Sequence, residues 1–178
     1  MQTFTEPKPL VKNLDYWEQR TKNLSVLSDE MIDPPIIEII TNFNKLTYCF
    51  TLQSCYGHFL YRGQEDPKNL EPLPITNTIS TVEYRIAYIA FCVENNKSGK
   101  RLLGDLERVT LIDRKNIQFC CADWFWKRQV NSYALQVEPD RFKNEDKVLL
   151  GYEEAFHINK IRNKFFVDLT NLLNANRD

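Results

Sequence analysis

The sequence has few of the features that mark several protein classes. It contains five glycines and two histidines, its net charge is −1, and no apolar run approaches the ~18 residues that a membrane-spanning helix needs. The near-neutral charge excludes the overall basic character of many nucleic-acid-binding proteins and leaves only local basic clusters to consider. The first residues are polar and lack a signal-peptide pattern, so we expect no membrane segment.

The cysteine count of five is odd, and the chain of 178 residues is larger than most disulfide-stapled domains. These two facts argue against a disulfide framework and predict a reduced, cytoplasmic protein. Cys120 and Cys121 are adjacent, and on a strand their side chains would point to opposite faces.

Apolar spacing predicts a mixed fold. Helical periodicity follows Leu10, the Asp33-Pro34-Pro35 start and Ser98, and it recurs over residues 158–173. Asp33 is a candidate cap for the second helix. Strands are predicted from Tyr48, over 81–94, 116–122 and 132–137, with a turn or strand edge at 124–128. The sequence therefore predicts an α/β or α+β fold, in which three to four helices pack on a sheet of about four strands. Residues 10–178 would form a single compact domain behind a flexible tail, residues 1–9.

Residues 62–80 are polar and carry three prolines. Loops of this length are uncommon in compact domains unless they have a function. Because the segment starts four residues after His58, we expect it to be a mobile lid over a site there.

The stretch that ends in Gln53-Ser54-Cys55-Tyr56-Gly57-His58 concentrates reactive groups at the junction of a strand and a turn. Gly57 permits a positive φ, which would let the thiol and the imidazole meet. Cys55 and His58 are therefore candidate catalytic residues, and Gln53, Ser54 and Gly57 are candidate ligand-binding residues. The alternative is a buried structural cysteine and a histidine bonded to backbone.

A metal site competes with this interpretation, since Cys55-x-x-His58 has ligand-like spacing and Cys120, Cys121 and Asp123 could complete it. Zinc sites usually show two paired clusters, and here the second would be Cys-Cys on opposite strand faces. We therefore expect no metal.

Two further segments carry weaker signals. Lys97 and Lys100 precede a helix and could bind an anion, although a solvated turn is the default explanation for this segment. Glu94 stands where a phosphate-binding loop would need its first glycine, which excludes nucleoside-triphosphate hydrolysis. The aromatic segment 124–128 places three aromatic rings next to Lys127 and Arg128. It could stack a nucleic-acid base, or its tryptophans could pack against the end of the sheet.

At the Cys55 motif the sequence resembles the wybutosine-synthesis tRNA methyltransferase family, in which a strand ends in Ser-Ser-Cys-Ser-Gly-Arg. Ser54, Cys55 and Gly57 match that pattern, while Gln53 and His58 depart from it. The resemblance implies an α/β domain that binds S-adenosylmethionine and tRNA.

The leading hypothesis is thus an S-adenosylmethionine-dependent, tRNA-modifying methyltransferase relative with a small-molecule pocket at the Cys55 motif. One alternative is a thiol-dependent hydrolase or transferase, with Cys55 as nucleophile and His58 as base. Another is a non-enzymatic module that binds a ligand or partner through the aromatic segment.

Overall fold

A computed structural model describes residues 4–66 and 68–175 as two antiparallel sheets flanked by helices. One sheet has four strands in the order β1-β4-β6-β5, and the other has three in the order β2-β3-β7. The strands are β1 (Cys49–Cys55), β2 (His58–Leu60), β3 (Thr81–Arg85), β4 (Ala87–Val93), β5 (Ile117–Cys120), β6 (Ser132–Val137) and β7 (Lys147–Gly151). The predicted mixed fold class is confirmed.

Five α-helices accompany these strands in the described residues: α1 (Tyr16–Val26), α2 (Ile37–Lys45), α3 (Lys97–Glu107), α4 (Asp123–Arg128) and α5 (Tyr152–Ala175). Single 3₁₀ segments occupy Asp29–Met31, Pro34–Ile36, Arg108–Ile112 and Asp140–Phe142. Within the described ranges, none of the helices is both long and apolar enough to cross a bilayer. The predicted last helix is confirmed, with a buried stripe that includes Ile158, Phe165 and Leu169.

The predicted single strand over 81–94 is wrong, because the chain passes from one sheet to the other at Ile86. Arg85 pairs with β2 and β7, whereas Ala87 pairs with β6. The Ile86 amide donates to the carbonyl of Asp146 between these ladders. A run of β-prone residues does not indicate where a sheet bends, since both halves favour the extended backbone equally.

The main core lies on one face of the four-stranded sheet. Ile89 and Phe91 of β4 and Leu135 of β6 point into it and meet Phe43 of α2 and Phe165 of α5. Each fully buried side chain of this size stabilises the fold by roughly 1.5–3 kcal/mol. The alternate residues of the same strands face the other way, so helices α2 and α5 do not cover them.

Two local expectations need correction. The helical periodicity that follows Leu10, with Leu14 and Trp17 as its apolar positions, does not mark a buried face, because Leu14 before α1 is 81% exposed and Trp17 is 53% exposed, whereas Tyr16 is buried. The segment 124–128 is helical, within α4, and is not a turn or strand edge. Residues 1–3 of the expected tail lie outside the described residues. Within the remainder Thr5 exchanges two backbone hydrogen bonds with Cys121, and the flexibility of the tail stays a prediction.

The long segment 62–80 has no helix or strand among its described residues, which exclude Pro67. It is nevertheless packed on the fold. Leu73 is 3% exposed in the main core, and the Tyr152 hydroxyl donates to the carbonyl of Pro74 at 2.6 Å. The carboxylate of Asp66 accepts three backbone N–H groups of the same segment. These contacts tie down both halves of the predicted lid; whether it moves stays a prediction.

Candidate functional site

The turn between β1 and β2 consists of Tyr56 and Gly57. Gly57 has φ +87°, and a Cβ there would lie 2.7 Å from the Cβ of Ala87, so glycine is required for both backbone and space. The buried Arg162 of α5 donates from Nη1 to the Gly57 carbonyl at 2.7 Å. Burial lowers the pKa of this guanidinium, which also lies 4.1 Å from the ring centre of Tyr56. Helix α5 thus holds the turn in place.

The turn brings together Asp33, Cys55 and His58. The backbone N–H of Tyr56 donates to Asp33 Oδ2 at 2.7 Å, and His58 Nε2 lies 3.5 Å from the same oxygen. His58 Nδ1 lies 3.3 Å from the carbonyl of Asn69. One oxygen, the sulfur and one ring nitrogen of the three side chains all lie within 4.8 Å of one another. The imidazole and the carboxylate, both partly buried, thus lie beside the thiol.

The electrostatics of this cluster fix the protonation of His58. The hydrogen bond to Asp33, with help from Cys55, raises the pKa of His58 to about 10. The same hydrogen bond to His58 holds the pKa of Asp33 below its usual range, against the opposing effect of burial. At neutral pH the pair is a carboxylate and an imidazolium. An imidazolium has no free lone pair, so His58 in this state cannot accept a proton from Cys55.

Cys55 also lines a cleft of about 360 Å³ on the face of the four-stranded sheet opposite the core. The floor comes from alternate residues of three strands, one wall from α4, and another from the bend between the sheets. The floor residues are Gln53 and Cys55 of β1, Tyr88 and Ala90 of β4, and Ala134 and Gln136 of β6. The first wall is formed by Trp124 and Phe125 of α4 with Ala122 just before the helix, and the second by Arg85, Ile86 and Asp146. Burial raises the pKa of Tyr88 to about 12, so it presents a neutral phenol.

The aromatic segment 124–128 is divided between the cleft and the core. Trp124 and Phe125 stack with ring centroids 3.9 Å apart and line the cleft, and the buried Nε1 of Trp124 has no hydrogen-bond partner among the described residues. Trp126 instead packs edge-on against Tyr133 at 5.7 Å. The two candidate regions of the sequence, the Cys55 motif and this segment, therefore meet in one cleft.

The structure separates some residues that the sequence groups together. Of the predicted ligand-binding residues, Gln53 lines the cleft and Gly57 shapes the turn. Among the described residues that line the cleft, Ser54 and His58 are absent. His58 instead faces Asp33, whose Oδ2 lies 3.5 Å from its Nε2.

Lys97 and Lys100 do not join this site. They lie in the first turn of α3, which begins four residues after Val93, the last residue of β4. Val93 pairs with Cys49, whereas Cys55 pairs with Tyr88. The six residue steps along β1 from Cys49 to Cys55 correspond to roughly 20 Å. Their helix is capped by Asn96, whose Oδ1 accepts from the Gly99 amide. The antiparallel run of β4 carries both lysines to the opposite end of the sheet.

Sequence reasoning missed Asp33 and Arg162. Asp33 was assigned as a helix cap, but its side chain makes no capping bond and turns to Tyr56 and His58. Arg162 is a charged residue within the periodic segment of α5. Its spacing of four from Ile158 and three from Phe165 puts it on the buried stripe, and that spacing was the available signal.

Comparisons with known proteins bear on the fold alone. No protein-family model and no curated protein matches this sequence. Among solved structures, the PH1069 protein from Pyrococcus horikoshii is similar, with a TM-score of 0.50 and 11% identity over 90% of this chain and 93% of that chain. A hypothetical protein from Aeropyrum pernix has a TM-score of 0.40 and 12% identity, over 79% of this chain and 98% of that one.

Proposed function

We propose that this protein binds S-adenosylmethionine in the cleft and methylates a guanosine derivative in tRNA, as a relative of the wybutosine-synthesis methyltransferases. The observation that carries the proposal is the shared cleft, which joins Cys55 of the Ser-Cys-x-Gly motif to the stacked rings of Trp124 and Phe125. Its volume of about 360 Å³ falls at the lower end of small-molecule sites. We therefore assign it the adenosine portion of the cofactor and leave the methionine portion at its mouth.

In this proposal the cleft recognises adenosine by stacking and hydrogen bonds. Trp124 and Phe125 supply the aromatic surface for the purine. The side-chain amides of Gln53 and Gln136 and the free indole N–H of Trp124 supply donors and acceptors for its edge. The protein would accelerate transfer by holding the methyl donor and the acceptor nitrogen in line, a role that needs no covalent step at Cys55.

The tRNA would be held by local cations. Arg85 lines the cleft, and Arg128 lies 5.9 Å from the ring centre of Trp124 with Lys127 beside it in α4. Cations next to an aromatic surface can bind the phosphate of a nucleotide whose base stacks on that surface. All five cysteines are free thiols, which agrees with the reduced, cytoplasmic setting that belongs to this proposal.

The two alternatives have less support. Thiol catalysis in the cleft requires both Cys55 and His58 there, and His58 is absent from the described residues that line it and faces Asp33 instead. A partner-binding module requires an outward aromatic surface, but Trp126 packs on Tyr133 and the other two rings line the cleft.

The proposed reaction is tested by methyl transfer. Purified protein is incubated with S-adenosylmethionine labelled in its methyl group and tRNA from cells that lack this protein. We expect label in a modified guanosine of the digested tRNA, detected by mass spectrometry. Trp124→Ala should abolish transfer, whereas Trp17→Ala, which changes an exposed tryptophan on α1, should retain it. No transfer to any tRNA by the wild-type protein would contradict the proposal.

A further inference from the structure

We propose that Asp33, Cys55 and His58 form a binding site for one zinc ion. The sequence alone predicts no metal, because Cys55 and His58 have no second pair of ligands in the chain pattern. The structure supplies a third ligand from a distant segment, since Asp33 precedes α2 and its carboxylate reaches the β1–β2 turn. This set of carboxylate, thiolate and imidazole is outside the methyl-transfer role proposed above.

The spacing of the ligand atoms agrees with a tetrahedral ion. Zinc bonds of about 2.3 Å to sulfur and about 2.0–2.1 Å to nitrogen or oxygen place neighbouring ligand atoms roughly 3.3–3.6 Å apart. Asp33 Oδ2 and His58 Nε2 are separated by 3.5 Å, which matches such an edge, and zinc would take the place of the Nε2 proton of the imidazolium, which is released on binding. The three ligand atoms lie within 4.8 Å of one another, so shifts of about 1 Å complete the geometry.

The surroundings orient these side chains as a metal site requires. His58 Nδ1 faces the carbonyl of Asn69 at 3.3 Å, which presents Nε2 toward Asp33 and Cys55. Histidine ligands of metals typically donate their other ring N–H to such a carbonyl. The Tyr56 amide fixes one oxygen of Asp33 at 2.7 Å. Each of the three ligands thus lies in a segment that other contacts already hold.

The charge also balances. A carboxylate and a thiolate neutralise a divalent cation, which lets the ion remain in a cluster where His58 and Asp33 have side chains only 17% and 27% exposed. Three protein ligands leave the fourth position for water or a ligand. Because Cys55 also lines the cleft, the ion would lie within one side chain of the cleft wall.

The second histidine provides a matched control. His157 Nε2 also lies 3.5 Å from a carboxylate oxygen, that of Asp113, but this histidine is 61% exposed. Among the described residues, Asp33, Cys55 and His58 are the one group of three such side chains whose ligand atoms lie close enough to share an ion. A histidine–carboxylate pair alone is therefore present at both places, and only one has a thiol.

The experiment is titration of the metal-free protein with Co²⁺ at mildly alkaline pH, followed by absorption spectroscopy. We expect one equivalent to give intense visible bands of tetrahedral cobalt and a near-ultraviolet thiolate-to-cobalt band, both removed by equimolar Zn²⁺. Cys55→Ser should remove the thiolate band, and Asp33→Asn should weaken binding at least tenfold, while His157→Asn should leave the spectrum unchanged. A thiolate band that persists in Cys55→Ser, or no tetrahedral spectrum in the wild type, would overturn the proposal.

A second measurement uses only the wild-type protein, so its result is valid even if the variants do not fold. Zn²⁺ should slow iodoacetamide labelling of Cys55 in the wild-type protein, measured by mass spectrometry of its peptides. The rate at Cys55 should fall at least tenfold with one equivalent of Zn²⁺ and recover on addition of a chelator. An unchanged labelling rate at saturating Zn²⁺ would count against the site.

Discussion

Arg162 donates a hydrogen bond of 2.7 Å to the carbonyl of Gly57, across a sequence separation of 105 residues. This contact joins the longest helix to the turn that positions both the cleft wall at Cys55 and the Asp33–His58 pair. The guanidinium is buried between the rings of Tyr56 and Phe59, at 4.1 and 4.9 Å. The site therefore depends on a cation that belongs to the core of the protein.

Arg162→Leu should destabilise the fold. The change leaves the Gly57 carbonyl without its buried donor and removes two cation–π contacts, so we expect a loss of about 2–4 kcal/mol in the free energy of unfolding. Urea denaturation measures it. Arg108→Leu is the control, because Arg108 has a side chain 76% exposed and should change stability by less than about 1 kcal/mol. Equal losses in the two variants would refute the role given to Arg162.

The two glycines with positive φ allow steric crowding to be separated from backbone strain. Gly57 and Gly63 have φ of +87° and +90°, but an added Cβ meets Ala87 Cβ at 2.7 Å only at Gly57 and has open space at Gly63. Both alanine variants carry the strain, and only Gly57→Ala adds the clash. We expect Gly57→Ala to cost about 1–3 kcal/mol more in urea denaturation than Gly63→Ala. The turn packing described above would be contradicted if the two costs were the same.

Glu138 should make stability depend on pH. Burial, with repulsion from Asp146 and Glu145, raises the pKa of this fully buried carboxyl to about 9. Between the unfolded value near 4.5 and about 9, the native state keeps a proton that the unfolded state has lost. Stability should therefore fall as pH rises through this window, by up to about 1.4 kcal/mol per pH unit.

The Glu138→Gln variant tests this assignment, since glutamine keeps an oxygen that can accept from Gln136 Nε2, now 2.9 Å from Glu138 Oε2. Thermal unfolding of both proteins is followed from pH 5 to 9. We expect the wild type to lose stability steadily across this range relative to the variant. Parallel curves would show that Glu138 is ionised in the native protein.

Cys55 should be the most rapidly alkylated cysteine of the metal-free protein. It is partly exposed, whereas the other four cysteines are buried. Brief treatment with iodoacetamide and peptide mass spectrometry rank the five rates. Faster labelling of Cys120 or Cys121 would be inconsistent with the burial described for β5 and the residue after it.

The sequence predicts the elements better than their arrangement. The helical stripe that contains Ile158 and Phe165 identifies α5, because its periodicity reports directly on a buried face. The bend at Ile86 has no such signal, since extended residues lie on both sides of it. The turn after β1, by contrast, has a signal in the sequence, because glycine at position 57 permits a backbone conformation that other residues rarely adopt.

The candidate site was only half predictable. Cys55 and His58 are neighbours in sequence, so local chemistry identifies them. Asp33 comes to them through tertiary packing, and its position before two prolines points equally to a helix cap. Lys97 is the opposite case. Its local sequence suits an anion-binding site, but the antiparallel β4 places it at the end of the sheet that is far from Cys55.

Binding of S-adenosylmethionine to the cleft is the most direct test of the central claim. Isothermal titration calorimetry with the wild-type protein should show one site per chain. Trp124→Ala should lower the affinity at least tenfold by removing the stacking surface, and Cys55→Ser should bind nearly as the wild type does. Trp17→Ala, on the exposed face of α1, should be unchanged. Absence of binding by the wild type, or equal affinity in Trp124→Ala and the wild type, would contradict the assignment of this cleft as the cofactor site.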